Sequence, residues 1–141
     1  MRVRRLKIIG FSLSFIILIN LNLAAQTGGN PDAAKLKNPV ASAPPSIEAG
    51  KVIFLKSCSV CHGMEGKGDG AIVKSLKPEA TRPPDITDAK WDHGKTDGEI
   101  FTNIRDGIGP KFEMKGQKGK LMDQDMWNLV NFIRSLAPKG K

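Results

Sequence analysis

The sequence predicts an all-α domain whose helices are separated by long, irregular loops. Three observations lead there. Three stretches carry an apolar period of helical spacing, none alternates as a strand does, and the segments between them are long and rich in Gly, Pro and Lys. With 141 residues and only two cysteines, the chain has room for one small domain and no disulfide framework.

Residues 1–7 carry four basic side chains and no acid. Residues 8–23 are largely apolar but interrupted by Gly10, Ser12, Ser14, Asn20 and Asn22, and are followed by Ala24-Ala25. The uninterrupted apolar run falls short of the roughly 20 residues that span a bilayer. Residues 1–25 therefore read as a secretory signal cut near Ala25, with a retained N-terminal anchor as the alternative. Both place the domain outside the cytoplasm, as in a periplasm, and limit membrane contact to this segment. Removing it leaves 18 basic against 14 acidic residues, so the net charge falls from +8 to +4. With no Arg-rich stripe and no aromatic stacking platform, a nucleic-acid partner has no support. Residues 26–46, which contain Pro31, Pro39, Pro44 and Pro45 and lack apolar periodicity, are expected to be a flexible linker, leaving residues 47–141 as the folded domain.

The first helix is expected to start at Ser46 as N-cap, with Glu48 in its first turn and Ala49, Gly50, Ile53 and Phe54 on one face, and to run into Cys58. Thr96-Asp-Gly-Glu99 has capping-box spacing and announces the second, which carries Ile100, Phe101 and Ile104 and stops near Gly107. The third begins among the acids Asp123 to Asp125 and places Met126, Leu129, Val130, Ile133 and Leu136 on one stripe before Pro138. The connections, residues 63–95 and 108–122, are too long for a simple bundle. Without something to bury against, they should be disordered.

The motif Cys58-Ser-Val-Cys61-His62 suggests what that something is. Two thiols three positions apart on one helical turn suit addition to the two vinyl groups of a haem, while the adjacent imidazole reaches the iron. This is the attachment signature of covalent haem c. The rival readings are weaker: a structural zinc site wants four ligands and the chain has two Cys and two His. A thioredoxin-like pair wants a βαβ setting, and a plain disulfide leaves His62 and the loops unexplained.

Over residues 47–136 the sequence resembles the monohaem cytochrome c family. The resemblance is carried by Gly50 with Phe54, Cys58-Ser-Val-Cys61-His62-Gly63, Gly66-Lys-Gly-Asp-Gly70, Pro83-Pro84-Asp85, Asp97-Gly-Glu-Ile-Phe101 and Trp127-Asn-Leu-Val-Asn-Phe-Ile-Arg-Ser-Leu136. It implies three main helices with long loops wrapped around one covalent haem. Gly50 and Phe54 of the first helix would pack on Leu129 and Phe132 of the last. One departure is Ala71, where many relatives have Pro. In the family the free nitrogen of the iron-binding histidine donates to a backbone carbonyl near a proline, and Pro83 or Pro84 marks a candidate.

The family pattern also implies a sixth iron ligand from the second long loop. Met64 lies two residues from His62, a reach of about 7 Å at full extension, too short to pass around a porphyrin. Met126 sits on the apolar stripe of the last helix. Met114, on the loop before that helix, is the expected ligand, with Met122 as runner-up. His93, in Trp91-Asp-His-Gly94, reads as part of a solvated turn, and Trp91 and Trp127 as packing groups. The implied function is a one-electron carrier between redox partner proteins, and Lys111, Lys115, Lys118 and Lys120 around the Met114 loop read either as a solvated run or as a ring that docks an acidic partner. Two other readings stand beside it: a domain that binds or acts on peroxide, NO or CO at an open iron position, and a fixed subunit of a larger oxidoreductase.

Overall fold

Helix α1 (Pro44–Ser57) begins earlier than expected, with Ala43 at the cap position and Pro44 and Pro45 in the first turn. Proline suits those positions because its missing N–H would have had no intrahelical partner and its φ is already helical. Ser46 is thus inside the helix and does not cap it. Its Oγ donates to Asn128 Oδ1 at 2.7 Å and accepts from Asn131 Nδ2 at 2.8 Å. The computed structural model describes residues 30–88, 90–109 and 113–137, so the signal or anchor expected over 1–25 lies outside the described residues.

The helix breaks at Cys58 (φ −118°, ψ −31°) and resumes as the single turn α2 (Ser59–His62), which Gly63 closes at φ +78°. Helix α3 (Asp97–Asp106) starts with the capping box read from the sequence. The Glu99 N–H donates to Thr96 Oγ1 at 3.3 Å, and the Glu99 carboxylate accepts from the N–H groups of Thr96 (2.9 Å) and Lys95 (3.0 Å). Helix α4 (Asp123–Leu136) opens with Asp125 accepting the Met122 N–H at 3.2 Å.

The core lies where α1 and α3 meet α4. Phe54, Ile100, Phe101, Ile104, Met126, Trp127, Leu129, Val130, Phe132 and Ile133 form one buried cluster. Phe54 and Phe132 are tilted neighbours at 5.2 Å, and Phe101 stacks on Trp127 at 4.0 Å. Gly50 permits the closest approach: a Cβ there would lie 2.1 Å from the Asn128 carbonyl oxygen and 2.8 Å from Phe132 Cβ. The pairing of Gly50 and Phe54 with the last helix is therefore present. Trp127 is a packing group, as expected.

Two features differ from the sequence reading. After α3, the strands β1 (Gly107–Ile108) and β2 (Met114–Lys115) pair antiparallel, with Ile108 opposite Met114. Two residues per strand are too few to show a period of two, so this pair left no trace in the sequence pattern. The second difference is the expected flexible linker. Residues 30–43 lie packed on the domain, with a 3-10 turn at Ala33–Lys35, Ala33 buried, and Asn38 bonded to Asn131 at 2.8 Å. The short polar and proline-rich segment is held by backbone and carboxamide hydrogen bonds, which apolar periodicity cannot reveal. Residues 26–29 lie outside the described residues.

Candidate functional site

The motif turn is organised by hydrogen bonds to its own backbone. The N–H groups of Cys61 and His62 both donate to the Cys58 carbonyl, at 3.1 and 3.0 Å. The loop that follows folds back onto this turn, with the Gly68 N–H on the His62 carbonyl (2.9 Å) and the Gly70 N–H on the Cys61 carbonyl (3.1 Å). Glycine is needed at 68: its φ is +73°, and a Cβ would stand 2.3 Å from the Pro83 carbonyl oxygen. The Ile86 N–H donates to the Gly66 carbonyl at 2.8 Å, which brings the Pro83-Pro84 segment against the motif. Part of the order expected only from a cofactor is thus supplied by backbone bonds.

Cys58 and Cys61 are half-buried free thiols. Burial, with the neighbouring Cys61 adding, pushes the Cys58 thiol up to about 11. At neutral pH it is a protonated thiol, which argues against a low-pKa redox cysteine of the thioredoxin kind. Burial also lowers the His62 pKa below the ordinary imidazole value, while the Pro84 carbonyl works in the opposite direction. The ring is therefore neutral at pH 7, with a lone pair available to a metal. Its Nδ1 is buried and has no partner within hydrogen-bond geometry. Pro84 neighbours the His62 ring through its backbone, on the segment the sequence had marked, and Ala71 instead opens a 3-10 turn (Ala71–Ser75).

The structure brings Cys58, Cys61 and His62 together on one turn, with the Phe54 ring 6.5 Å from that of His62. Cys58, Trp91, Met114 and Leu121 are all half-buried against the same core cluster. The other methionines separate clearly: Met64 and Met122 are 74% and 70% exposed, and Met126 is 1% exposed. His93 is exposed on its turn. Lys115, Lys118 and Lys120 are exposed, and Lys115 and Lys118 share a shallow depression with the Arg105–Asp106 ion pair, while Lys111 lies outside the described residues.

These residues fit a covalent haem. Two unpaired thiols flank one turn, a neutral imidazole adjoins the second, its Nδ1 is buried and unpartnered, and the Pro84 backbone neighbours the ring. Among the described residues no group of three or more His, Cys, Asp or Glu could hold a metal ion by itself. The buried carboxamides of Asn128 and Asn131, which tie residues 38–46 to α4, were missed in the sequence. They share a helical face with the exposed Gln124 and Ser135, opposite the apolar stripe, so the sequence pattern reads that face as solvated.

Residues 47–137 match the model of the cytochrome c family. The chain is 32% identical over 97 residues to the cbb3-type cytochrome c oxidase subunit FixPc of Rhizobium leguminosarum bv. viciae, covering 68% of this chain and 30% of that protein. It is 26% identical over 99 residues to the corresponding CcoP subunit of Rubrivivax gelatinosus, covering 70% and 28%. The chain thus spans less than a third of the length of these relatives. Among solved structures it is similar to a chain of the reducing HAO-like protein complex of Kuenenia stuttgartiensis, with TM-score 0.62, 26% identity, and coverage of 73% of this chain and 50% of that one. It is also similar to cytochrome cL of Hyphomicrobium denitrificans, with TM-score 0.52, 27% identity, and coverage of 70% and 51%. The family match covers the helices, the motif turn and the loops between them, and the chain is a member of the cytochrome c family, an all-α domain with one covalently bound haem c.

Proposed function

We propose that this chain is an exported one-electron carrier in which Cys58 and Cys61 form the thioethers to haem, His62 supplies one axial ligand through Nε2, and Met114 supplies the other. The observation that carries this reading is the turn Cys58 to His62, which sets two thiols beside a half-buried, neutral imidazole that has the Pro84 backbone as a neighbour. Met114 is favoured over the runner-up because it is half-buried on β2 and packed against the core cluster, whereas Met122 is largely exposed. Haem supplies the one-electron couple when bound. The chain's own residues hold it, keep His62 neutral and oriented, and exclude water from the core side through Phe54, Phe101 and Trp127.

A thioether is a soft, neutral ligand that favours ferrous iron and raises the potential relative to a bis-imidazole site. It also keeps exogenous ligands off the metal, which separates a carrier from a domain acting on peroxide, NO or CO. Residues 1–25 direct the domain out of the cytoplasm, as a signal or as an anchor. Lys115 and Lys118 present positive charge to an acidic redox partner. The oxidase-subunit names of the two relatives support a second reading, a fixed component of a larger oxidoreductase. Co-purification with stoichiometric partner subunits would select it.

The test of ligation uses the purified holoprotein. Met114→Ala should abolish the sulfur-to-iron charge-transfer band of the oxidised form, lower the potential and admit carbon monoxide to the reduced form. Met122→Ala should leave all three nearly unchanged. If the unaltered protein binds carbon monoxide readily at neutral pH, the carrier reading fails and the open-site reading replaces it.

A further inference from the structure

Residues 30–43 precede the stretch that matches the family and have the composition of a spacer, yet they are bound at two places along their length. The first is at the start of α3. Ala33 is 4% exposed, and a Cβ on Gly98 would lie 2.0 Å from the Ala33 carbonyl oxygen, 2.7 Å from Leu36 Cβ and 2.9 Å from the Leu36 carbonyl oxygen. All three atoms belong to the 30–43 segment. Glycine in a helix costs up to about 1 kcal/mol relative to alanine. The three atoms nearest a Cβ at Gly98 all come from the segment and none from α4, so the approach of the segment accounts for that cost.

The second place is α4. Asn38 Nδ2 donates to Asn131 Oδ1 at 2.8 Å, and Asn38 Oδ1 accepts the Val40 N–H at 2.8 Å. Asn131 Nδ2 donates to the carbonyls of Val40 (3.2 Å) and Ala41 (3.3 Å) and to Ser46 Oγ (2.8 Å). Asn131 is 4% exposed, and each of these partners lies in the segment or in the first turn of α1. A buried carboxamide satisfied in this way belongs to a docked state, because leaving it buried and unpaired costs about 1–3 kcal/mol.

We propose that residues 30–43 are a strap, an integral element of the domain that binds across α3 and α4 and fixes the point and direction at which the chain leaves it. The chain then enters the domain at a fixed point beside the N-terminal end of α3, and residues 30–46 do not serve as a free tether. The strap holds the seam between α3 and α4 closed on the side where Phe101 stacks on Trp127, whose carbonyl lies 3.5 Å from Asn38 Nδ2. Its hydrogen bonds to α4 and its approach to Gly98 involve none of Cys58, Cys61, His62 and Met114.

The experiment is limited trypsin digestion of the full-chain holoprotein, following the bonds after Lys35 and Lys37 by mass spectrometry beside a synthetic peptide of residues 30–43. The docked strap should be cut at these bonds at least tenfold more slowly than the peptide. Gly98→Ala, whose methyl meets only strap atoms among its nearest neighbours, should raise cleavage there at least fivefold and lower the melting midpoint, with the haem absorption spectrum unchanged. A free linker predicts the reverse sign, because alanine improves an unencumbered helix. Cleavage at the peptide's rate in the unaltered protein overturns the proposal, as does a Gly98→Ala protein that melts higher and is cut no faster. Should Gly98→Ala fail to fold, Asn38→Ala, placed in the strap itself, is read in the same way: faster cleavage supports docking and an unchanged rate overturns it.

Discussion

Replacing Gly50 by alanine tests the seam on which the domain is built. The added methyl would lie 2.1 Å from the Asn128 carbonyl oxygen, 2.6 Å from its carbon and 2.8 Å from Phe132 Cβ. Two of these atoms are α4 backbone and the third is fixed to it, so no rotamer change relieves the overlap. Helix α1 has to back away by roughly 1.3 Å to recover ordinary 3.4 Å contact with that oxygen. A gap of about 0.5–1 Å already forfeits a quarter to a half of the dispersion well. Burial of Phe54, Leu129 and Phe132 is worth about 1.5–3 kcal/mol each, so losing a third to a half of it amounts to about 2–4 kcal/mol. Alanine's better helix propensity returns up to about 1 kcal/mol, leaving a net destabilisation of about 1–3 kcal/mol. For a domain near 100 residues this is a fall of roughly 5–25 °C in melting midpoint. The check is a thermal melt of the holoprotein at 222 nm beside the unaltered protein. A midpoint that is unchanged or higher refutes the close approach of the two helices at Gly50.

Three further outcomes are expected. Replacing both Cys58 and Cys61 by alanine should leave haem extractable by acid–acetone and yield a protease-sensitive chain of reduced helicity, and a compact, stable apoprotein would show that haem is not needed for folding. The Glu99 carboxyl is held below the ordinary carboxylate pKa, chiefly by the Thr96 backbone N–H, with the Thr96 hydroxyl and the Lys95 N–H adding and burial opposing. Because the folded pKa is the lower one, this stabilisation is complete above the unfolded value near 4.5 and is lost as pH falls through the folded value. Glu99→Gln should lower stability at pH 7 by about 0.5–1.5 kcal/mol and flatten the acid side of the curve, as read by urea midpoints from pH 3 to 7. If Lys115 and Lys118 face an acidic partner, electron transfer to it should slow markedly as ionic strength rises past about 0.1 M, and a rate indifferent to salt would remove the docking role.

What the sequence determined by itself lies in short spans. The three main helices were legible because Phe54, Ile100, Phe101, Ile104, Met126, Leu129, Val130 and Ile133 recur at the spacing of one helical face, and the start of α3 because a capping box closes within four residues. The motif Cys58 to His62 was legible for the same reason, since its chemistry needs only one turn. Tertiary structure alone decided the rest. It chose Pro84 as neighbour to the His62 ring, on a segment that Gly68 lets approach through its two proline carbonyls. It paired Ile108 with Met114 in a ladder too short to have a period. It also turned an expected linker into a packed strap, through a bond between Asn38 and Asn131 that joins residues 93 positions apart. Local patterns report which face of an element is apolar, whereas carboxamide and backbone bonds across such separations depend on where α4 has already been placed by burial of its apolar stripe.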